Sequence, residues 1–418
     1  MSPLDRPSHL RISRPFSISV PRRANTLMEI SGFSDIQPQV RESIGRTCKK
    51  YPDMSPRLHF SEHRAAHDES GEYPHELHRD PARDSWIGIA LPEDLGGSGL
   101  GISEVTMMLH TISDRSGAVM AGAQSIHANM YATQPIAKLA TASQRQCMLP
   151  NLINGTWRAC FGVTGPNTGL ETLKLRTQAI RSDSNSSISG QKIWISSAQI
   201  APKMILLART TPLAEAKPGL DLKRIKKMGG RPIDSNEVFF ESYLIPAEKL
   251  IGNEGQGFKI VLHGTNAERC LFAGEALGLG YDALYRASLY AKERIAFGRP
   301  IGMNQGIQHP LADAYMHLEA AKLATYHAAR PYDQSTADPG ITPAAVGVAC
   351  NSAQDLAAEA AFTACERGVL ILAVMGYALE YHVEKYLREC FVPRIAPVSR
   401  EMIMNYVGEK VLGLPKSY

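Results

Sequence analysis

The middle of the chain contains two segments that decide its organisation, Phe161-Gly162-Val163-Thr164-Gly165-Pro166-Asn167-Thr168-Gly169 and Gly190-Gln191-Lys192-Ile193-Trp194-Ile195-Ser196. Each combines β-branched and aromatic residues with the Gly, Asn, Ser and Pro that end strands. Similar short runs cover residues 204–208 and 237–240. We therefore predict a small β domain over residues 157–256.

Helical patterning flanks this β-rich stretch on both sides. Residues 34–156 have a mostly helical pattern that residues 91–99 interrupt, since their glycines and proline cannot continue a helix. After residue 257 the helical pattern resumes, and Leu311, Tyr315, Leu318 and Ala321 have the spacing of a core-facing stripe. The sequence predicts an α+β protein: a helical domain over 34–156, a barrel-like or sandwich-like β domain over 157–256, and a four-helix bundle over 257–418.

Composition excludes several classes of function. The chain has 418 residues, 44% of them hydrophobic, and a net charge of +4 that is too small and dispersed for a nucleic-acid-binding surface. Apolar stretches such as residues 368–377 are shorter than the roughly 20 residues that cross a bilayer. The seven cysteines form no C-x-x-C pair, which argues against a disulfide framework and a metal site. We expect a soluble protein of a reducing compartment.

Residues 1–33 are interpreted as a leader. The first 28 residues contain five arginines and five serines but only one acid, Asp5, a composition typical of a mitochondrial transit peptide. A disordered leader or an early start codon explains the composition equally well. The final residues, Lys416-Ser417-Tyr418, differ from the S-K-L peroxisomal tripeptide, although that does not exclude a peroxisome. The expected location is the mitochondrial matrix or a peroxisome.

The segments quoted above resemble those of the FAD-dependent acyl-CoA dehydrogenase family, and the resemblance extends along the chain from about residue 40. Residues 161–169 resemble the family's V-T-E-P-x-x-G loop, and residues 190–196 resemble its G-x-K-x-W-I-[ST] strand. Without the resemblance, the two segments could simply form a hairpin with a core tryptophan. The resemblance implies that the flavin is lined by Phe161, Val163, Thr164, Thr168, Trp194, Ile195 and Ser196.

A third segment resembles the family's R-x-x-F-G…Q signature, with Arg294, Phe297 and Gln305 at the matching positions. In the family these residues contact the FAD pyrophosphate and adenosine, often from a neighbouring subunit. Arginine suits this role because its planar donors can bind two phosphate oxygens. The resemblance therefore implies a homodimer or homotetramer, and Ser399 and Glu401 are further expected cofactor contacts. A surface ion pair is the alternative for Arg294 alone.

Desaturation of a thioester requires a base for the α-proton in a dry pocket. The family places that glutamate either in a C-terminal segment, where this chain has Pro397, or before an arginine on the first helix of the last domain. The second position is Glu268, followed by Arg269, so Glu268 is the expected base. Glu275 and Glu401 are the rival acids. Asn266, Arg269 and Gly169 are the expected substrate contacts.

Four departures from the family pattern bear on flavin binding. The glycine-rich loop Q-x-x-G-G-x-G-[FY] corresponds to residues 370–377, where Ala373 and Val374 replace two glycines. A positive φ there would strain the backbone by roughly 1–3 kcal/mol for each residue. Residues 212–218 are too short for a strand that the family usually has, Gly165 replaces the acid of V-T-E-P, and Pro81 should kink or break a helix.

Three functions are consistent with these residues. The leading hypothesis is dehydrogenation of an acyl-CoA to the trans-2-enoyl-CoA, with electron-transfer flavoprotein as the acceptor. The second is an acyl-CoA oxidase that passes electrons to oxygen. The third is a flavin-poor, inactive relative that binds an acyl-CoA or a partner, and the altered glycine loop is the feature that favours it.

Overall fold

The computed structural model describes residues 33–51, 68–115, 119–169, 171, 174–182, 184–210, 219–335 and 338–417. The proposed leader and the shortened segment 212–218 lie outside the described residues, apart from residue 33. Within the described ranges, no helix combines the length and the apolar character that crossing a membrane requires.

The N-terminal region is helical where it is described. Its helices are α1 (Ile36–Cys48), α2 (His75–Arg83), α3 (Ile102–Arg115), α4 (Val119–Leu139) and α5 (Ala142–Ile153). Pro81 lies inside α2, which ends two residues later. The predicted loop between α2 and α3 contains a short 3₁₀ turn, Glu93–Leu95. Gly96 ends this turn with a φ of 85°. Helix α5 begins with a capping box between Thr141 and Gln144.

The middle region is an open, mixed β structure. Its strands are β1 (Ala159–Gly162), β2 (Gln178–Arg181), β3 (Asn185–Ser196), β4 (Lys203–Leu206), β5 (Gly219–Arg224) and β6 (Ser235–Pro246). Strands β1 and β4 pair in parallel, and an antiparallel sheet has the order β2-β3-β6-β5. Each run predicted as a strand overlaps one of these elements.

Long helices form the C-terminal region. They are α6 (Gly257–Glu293), α7 (Gln305–Gln334) and α8 (Pro343–Leu372), with the small hairpin β7 (Ile295–Ala296) and β8 (Arg299–Pro300) between α6 and α7. Shorter helices follow: α9 (Val374–Tyr377), α10 (Val383–Glu389), α11 (Val392–Ile395) and α12 (Arg400–Lys410). The helical–β–helical architecture is confirmed.

The predicted stripe on α7 is correct except at one position. Leu318 and Ala321 are fully buried, and Leu311 packs against the same core. Tyr315, however, is 37% exposed. Residues with this spacing drift around the helix, so Tyr315 lies at the edge of the buried face and its ring is only partly covered.

Helix α6, with 37 residues, is the longest described helix, and it contacts α3, α4, α7 and α8. It approaches α3 closely through two glycines one turn apart. A Cβ at Gly274 would lie 2.7 Å from the Thr106 carbonyl oxygen, and one at Gly278 would lie 2.6 Å from the His110 carbonyl oxygen. Apolar residues of α3, α6, α7 and α8 belong to one buried cluster. The N-terminal and C-terminal helices therefore share a core, which fixes α6 relative to both.

Asp333, near the end of α7, holds the start of α3. Its carboxylate accepts hydrogen bonds from the backbone N–H of Ile102 at 2.7 Å, and from both the N–H and the hydroxyl of Ser103 at 3.0 and 2.7 Å. The first N–H groups of a helix have no partner within it, so this side chain satisfies them from another helix.

We expect Asp333→Ala to lower the free energy of unfolding by about 2 kcal/mol, because two helix N–H groups lose their acceptor. Urea denaturation monitored by circular dichroism measures the change. Asp313→Ala is the matched control on the same helix, since its carboxylate is 58% exposed and approaches only His317. Equal stability of the two variants would contradict the role given to Asp333.

Candidate active site

The two β segments expected to line a flavin lie side by side. The Ile193 N–H donates to the Thr164 carbonyl oxygen at 3.0 Å, and the Lys192 ammonium donates to the Val163 carbonyl oxygen at 2.7 Å. Phe161, in β1, is half-buried on the same side of the loop. Residues 161–164 and 192–196, separated in sequence, are therefore joined by direct hydrogen bonds.

Lys192 is fully buried, and sequence reasoning gave it no separate role. Burial disfavours its charge and lowers the pKa of the ammonium to about 8. The hydrogen bond that the ammonium donates to the Val163 carbonyl oxygen offsets part of the cost of burial. This bond also links β3 to the loop after β1. Lys192 thus supports the loop that presents Thr164.

Trp194 has an unusual backbone conformation. Its φ is +62°, and the pairing of β3 with β6 is irregular between Lys192 and Ile195. The bulge turns the indole outward, where it is 55% exposed, while Ile195 returns to the core at 2%. A positive φ on a bulky residue is strained, and such strain clusters at functional sites. The arrangement leaves an aromatic face beside the half-buried Ser196.

The loop after Thr164 closes as a tight turn. Gly165 and Thr168 exchange backbone hydrogen bonds at 3.3 and 3.1 Å, with Thr168 buried and Gly169 exposed. A cavity of about 300 Å³ lies beside this turn, and it is lined by residues 165–168, 190–191 and 239–241 together with Arg176. All of these residues belong to the β domain, and Glu268 is not among them.

Glu268 lies in the fourth turn of α6 and is half-buried. Loss of hydration raises the pKa of its carboxyl to about 7, the Glu275 carboxylate adds to the increase, and His127 and Arg269 oppose it. A carboxylate with this pKa is half protonated near neutral pH, so it can both take and release a proton. The position therefore has the electrostatic character of a general base.

Arg269 and Asn266, the other two expected substrate-side residues on α6, are joined. The Arg269 guanidinium donates to the Asn266 side-chain oxygen at 2.7 Å. Burial lowers the pKa of Arg269, although the group stays a cation because its ordinary value is 12.5. The pair is held beside Glu268 on the same turn of the helix.

The two rival acids differ sharply from Glu268. Glu275 is fully buried, and its carboxylate is 2.7 Å from the His127 ring nitrogen Nδ1. Glu401 is exposed at the start of α12, where hydrogen bonds from its own backbone and from Ser399 lower the pKa of its carboxyl. A carboxylate in water with a lowered pKa is a weak base, so Glu401 has the wrong environment for proton abstraction.

The segment around Pro397 is held by Gln354 of α8. The Gln354 amide donates to the carbonyl oxygens of Pro393, Ala396 and Val398 at 3.1, 2.9 and 3.3 Å. Gln354 was missed in the sequence because its partners are about 40 positions away. Ser399, which follows, is half-buried at the start of α12.

Arg294, Phe297 and Gln305 are far from Glu268 in the same chain. Arg294 ends α6, 26 residues beyond Glu268 and so about 39 Å along the helix axis. All three side chains are exposed, and Phe297 is completely so, with φ of +50°. One chain therefore does not bring these residues to the Glu268 site.

Residues 370–377, which correspond to the family's glycine-rich loop, still have a backbone conformation that favours glycine at position 373. Ala373 ends α8 with φ of +53° and ψ of −128°, a region that residues with a side chain rarely occupy. A Cβ at Gly376 would lie 2.3 Å from the Val369 carbonyl oxygen, so the glycine that remains is sterically required. Val374 and Tyr377 are more than 80% exposed. The expected strain is present at Ala373.

Comparison with known proteins identifies the family. Three family models match: "Acyl-CoA dehydrogenase, N-terminal domain" over residues 57–156, "middle domain" over 160–243 and "C-terminal domain" over 255–412. Acyl-CoA dehydrogenase FadE12 of Mycobacterium tuberculosis strain H37Rv is 33% identical over 359 residues, which is 83% of this chain and 90% of the relative. An acyl-CoA dehydrogenase of Bacillus subtilis is 31% identical over 358 residues, 83% of this chain and 92% of its own.

A solved structure agrees with these sequence matches. Butyryl-CoA dehydrogenase from Megasphaera elsdenii superposes with a TM-score of 0.81 at 26% identity, covering 91% of this chain and 99% of that one. The helical, β and helical regions therefore follow the order and arrangement of that enzyme.

Replacing Ala373 by glycine should relieve the strained conformation. We expect Ala373→Gly to raise the free energy of unfolding by about 1 kcal/mol and to lower the dissociation constant for FAD, because glycine adopts positive φ freely. Urea denaturation and titration of FAD fluorescence measure the two effects.

The control is Ala378→Gly, five residues away, where φ is −81° and glycine brings no relief. This variant should be no more stable than the parent, since added chain entropy is its main effect. A gain in stability for Ala378→Gly equal to that of Ala373→Gly would contradict the strain interpretation.

Proposed function

The chain belongs to the acyl-CoA dehydrogenase family, and we propose that it desaturates an acyl-CoA thioester between Cα and Cβ to give the trans-2-enoyl-CoA. It is an oxidoreductase, and its cofactor is FAD. The observation that carries the proposal is Glu268, a shielded carboxylate whose pKa is raised to about 7 by loss of hydration. A base of this kind, beside an arginine on the first helix of the last domain, suits removal of an acidic α-proton.

Glu268 takes the α-proton onto its carboxylate in this mechanism. Aromatic side chains keep the region dry: Tyr131 packs edge-on against Phe161 with centroids 4.9 Å apart, and Phe272 lies one turn after Glu268 on α6. In low dielectric surroundings the charge on Glu268 is poorly solvated, so accepting a proton is favourable. Arg269, fixed by Asn266, orients the substrate end of the site, with Gly169 as a further contact. FAD, when bound, supplies the acceptor for the β-hydride.

The residues proposed to hold FAD have the chemistry that a flavin needs. The exposed Trp194 indole offers a face for stacking, and the Thr164 and Ser196 hydroxyls can bond the polar edge of the ring. The full proposed set is Phe161, Val163, Thr164, Thr168, Trp194, Ile195, Ser196, Arg294, Phe297, Gln305, Ser399 and Glu401. Ala373 is the position that fits poorly, because its side chain stands where the family's glycine allows close approach.

A second copy of the chain is part of the proposal. Arg294 is about 39 Å from Glu268 along α6, and Phe297 and Gln305 lie beyond the end of that helix. All three are exposed, so they could reach a flavin at the Glu268 site only from another subunit. An exposed arginine and a fully exposed phenylalanine are typical of residues that an interface covers. We propose a homodimer or homotetramer on this basis.

We propose electron-transfer flavoprotein as the electron acceptor. Acyl-CoA oxidase activity, in which oxygen accepts the electrons, is the alternative. Peroxide formed during turnover would distinguish the oxidase from the dehydrogenase. A mitochondrial location rests on the composition of residues 1–33, and a peroxisome is the alternative that the final residues do not exclude. A non-catalytic acyl-CoA-binding protein is the second candidate function, favoured by the strain at Ala373, which would weaken FAD binding.

The proposal predicts that Glu268→Gln lowers turnover by about 10²- to 10⁴-fold while FAD stays bound, since an amide cannot take the proton. Turnover with a saturated acyl-CoA and an artificial electron acceptor gives the rate, and the flavin absorption gives the occupancy. Glu42→Gln is the control and should keep near-parental turnover, since its carboxylate is 75% exposed on α1 and pairs with Arg46. Near-normal turnover of Glu268→Gln with flavin bound would make Glu275 or Glu401 the base instead.

We also expect the difference in stability between Glu268→Gln and the parent to depend on pH. Because the pKa of Glu268 rises from 4.5 to about 7 on folding, the folded chain holds a proton that the unfolded chain releases between these values. Stability therefore falls as pH rises through this window. Glu268→Gln should be more stable than the parent at pH 8, by roughly 3 kcal/mol, and equal to it at pH 4. A pH-independent difference would contradict the raised pKa.

A further inference from the structure

Arg388, near the end of α10, joins the three regions of the chain. Its guanidinium donates to the Glu384 carboxylate of the same helix at 2.6 and 3.2 Å. It also donates to the Asp68 carboxylate of the N-terminal region at 2.7 Å and to the Met228 carbonyl oxygen of the β domain at 2.6 Å. The Arg388, Asp68 and Glu384 side chains are only 18%, 12% and 16% exposed. Because a guanidinium has rigid donors in several directions, this one side chain can hold three acceptors in fixed positions.

The loop between β5 and β6, residues 225–234, packs directly on the end of α10. A Cβ at Gly229 would lie 2.7 Å from the Arg388 carbonyl oxygen and 3.3 Å from the Glu389 backbone nitrogen. The backbones of the loop and of the helix therefore approach so closely that only glycine fits between them. Arg388 contacts this loop with both its side chain and its backbone.

The β5–β6 loop also holds the end of β3. The Lys227 ammonium donates to the Ser235 hydroxyl at 3.1 Å, and the Ile225 N–H donates to the Ser235 carbonyl oxygen at 2.7 Å. Ser235 begins β6, where its partner in the sheet is Ser196, the last residue of β3. Hydrogen bonds and strand pairing therefore lead from Arg388 through the loop to a residue that we propose as a flavin contact.

Asp234, the last residue of the loop, fixes the backbone just beyond β3. Its carbonyl oxygen accepts from the Ser197 N–H at 2.9 Å, and its carboxylate accepts from the Gln199 N–H at 3.2 Å. Ser197 has φ of +60°, and Trp194 has φ of +62°. Residues persist in such conformations only where their surroundings restrain them. The β5–β6 loop provides that restraint for residues 194–199.

We propose that Arg388 is a positioning residue for FAD. By fixing the β5–β6 loop on α10, it holds Trp194 and Ser196 in the conformation that binds the flavin, and it acts through the loop and β3 rather than by touching the cofactor. The proposal rests on Trp194 and Ser196 as flavin contacts of the proposed function. An arginine that only joined three regions would affect stability without a specific effect on FAD.

Arg388→Ala removes the bond to Met228 and leaves the Asp68 and Glu384 carboxylates without their cation. We expect the dissociation constant for FAD to rise by about tenfold, because binding must then order residues 194–199. Titration of FAD fluorescence measures this constant. Deuterium exchange of the amides of residues 194–199, followed by mass spectrometry in the flavin-loaded protein, should become faster.

Gly229→Ala tests the same contact from the other side. The added methyl group should push the loop away from α10 while the Arg388 side chain and both of its carboxylates stay in place. We expect a raised dissociation constant for FAD and faster exchange of residues 194–199 in this variant too. If Arg388→Ala does not fold, Gly229→Ala alone decides.

Asp333→Ala is the matched control for lost stability. Its hydrogen bonds to Ile102 and Ser103 join α7 to α3, so both partners lie in the helical regions. This variant should unfold at lower urea concentration than the parent. Its dissociation constant for FAD and its exchange of residues 194–199 should stay at the parental values.

Parental affinity for FAD in Arg388→Ala and Gly229→Ala would overturn the proposal, even if exchange became faster. Equal changes in Asp333→Ala would also overturn it, since they would follow from lost stability alone. Trp194→Ala tests the flavin contact separately: an unchanged dissociation constant there would refute both that contact and the proposal. Substrate is absent from all of these measurements, so failure of the proposed desaturation appears differently, as bound flavin that no acyl-CoA bleaches.

Discussion

The cost of burying negative charge on α6 is the constraint on which the site depends. Glu268 and Glu275 lie on one face of this helix, which packs against α4; Glu275 is fully buried and Glu268 is half-buried. A carboxylate in such a place either finds a partner or becomes easier to protonate. Glu275 pairs with His127, whereas Glu268 has no hydrogen-bond partner among the described residues, and burial raises the pKa of both carboxyls. The same helix face therefore carries one acid that is paired and one, Glu268, that we propose as the base.

The fold makes this burial possible by fixing α6 from several sides. Close contact at Gly274 and Gly278 brings α3 against it, and a shared core joins it to α7 and α8. Asp333 then ties α7 back to the start of α3. Within the β domain, Lys192 stabilises the loop after β1 by donating a hydrogen bond to the Val163 carbonyl oxygen. Placing polar groups where water is excluded lowers the stability of the fold, as is common at functional sites.

The order of helices and strands could be predicted from the sequence because hydrophobic periodicity and turn residues are local signals. The loop at residues 91–99 and the strands near 161 and 193 are examples. The pairing of His127 with Glu275 could not be predicted, since the two residues are 148 positions apart and neither has a local signature. At Ala373 the sequence showed only a missing glycine; the strain became evident from its φ of +53°. Tyr315 fitted the helical period, but its exposure depends on which neighbours cover that face.

The central claim is that this chain binds FAD and uses it to oxidise an acyl-CoA. Its most direct test is the visible absorption spectrum of the purified protein, recorded without oxygen before and after addition of saturated acyl-CoAs of several chain lengths. The account predicts a flavin band that bleaches with at least one of these thioesters. A protein that remains colourless after FAD is added, or a bound flavin that keeps its oxidised spectrum with every thioester, would contradict it.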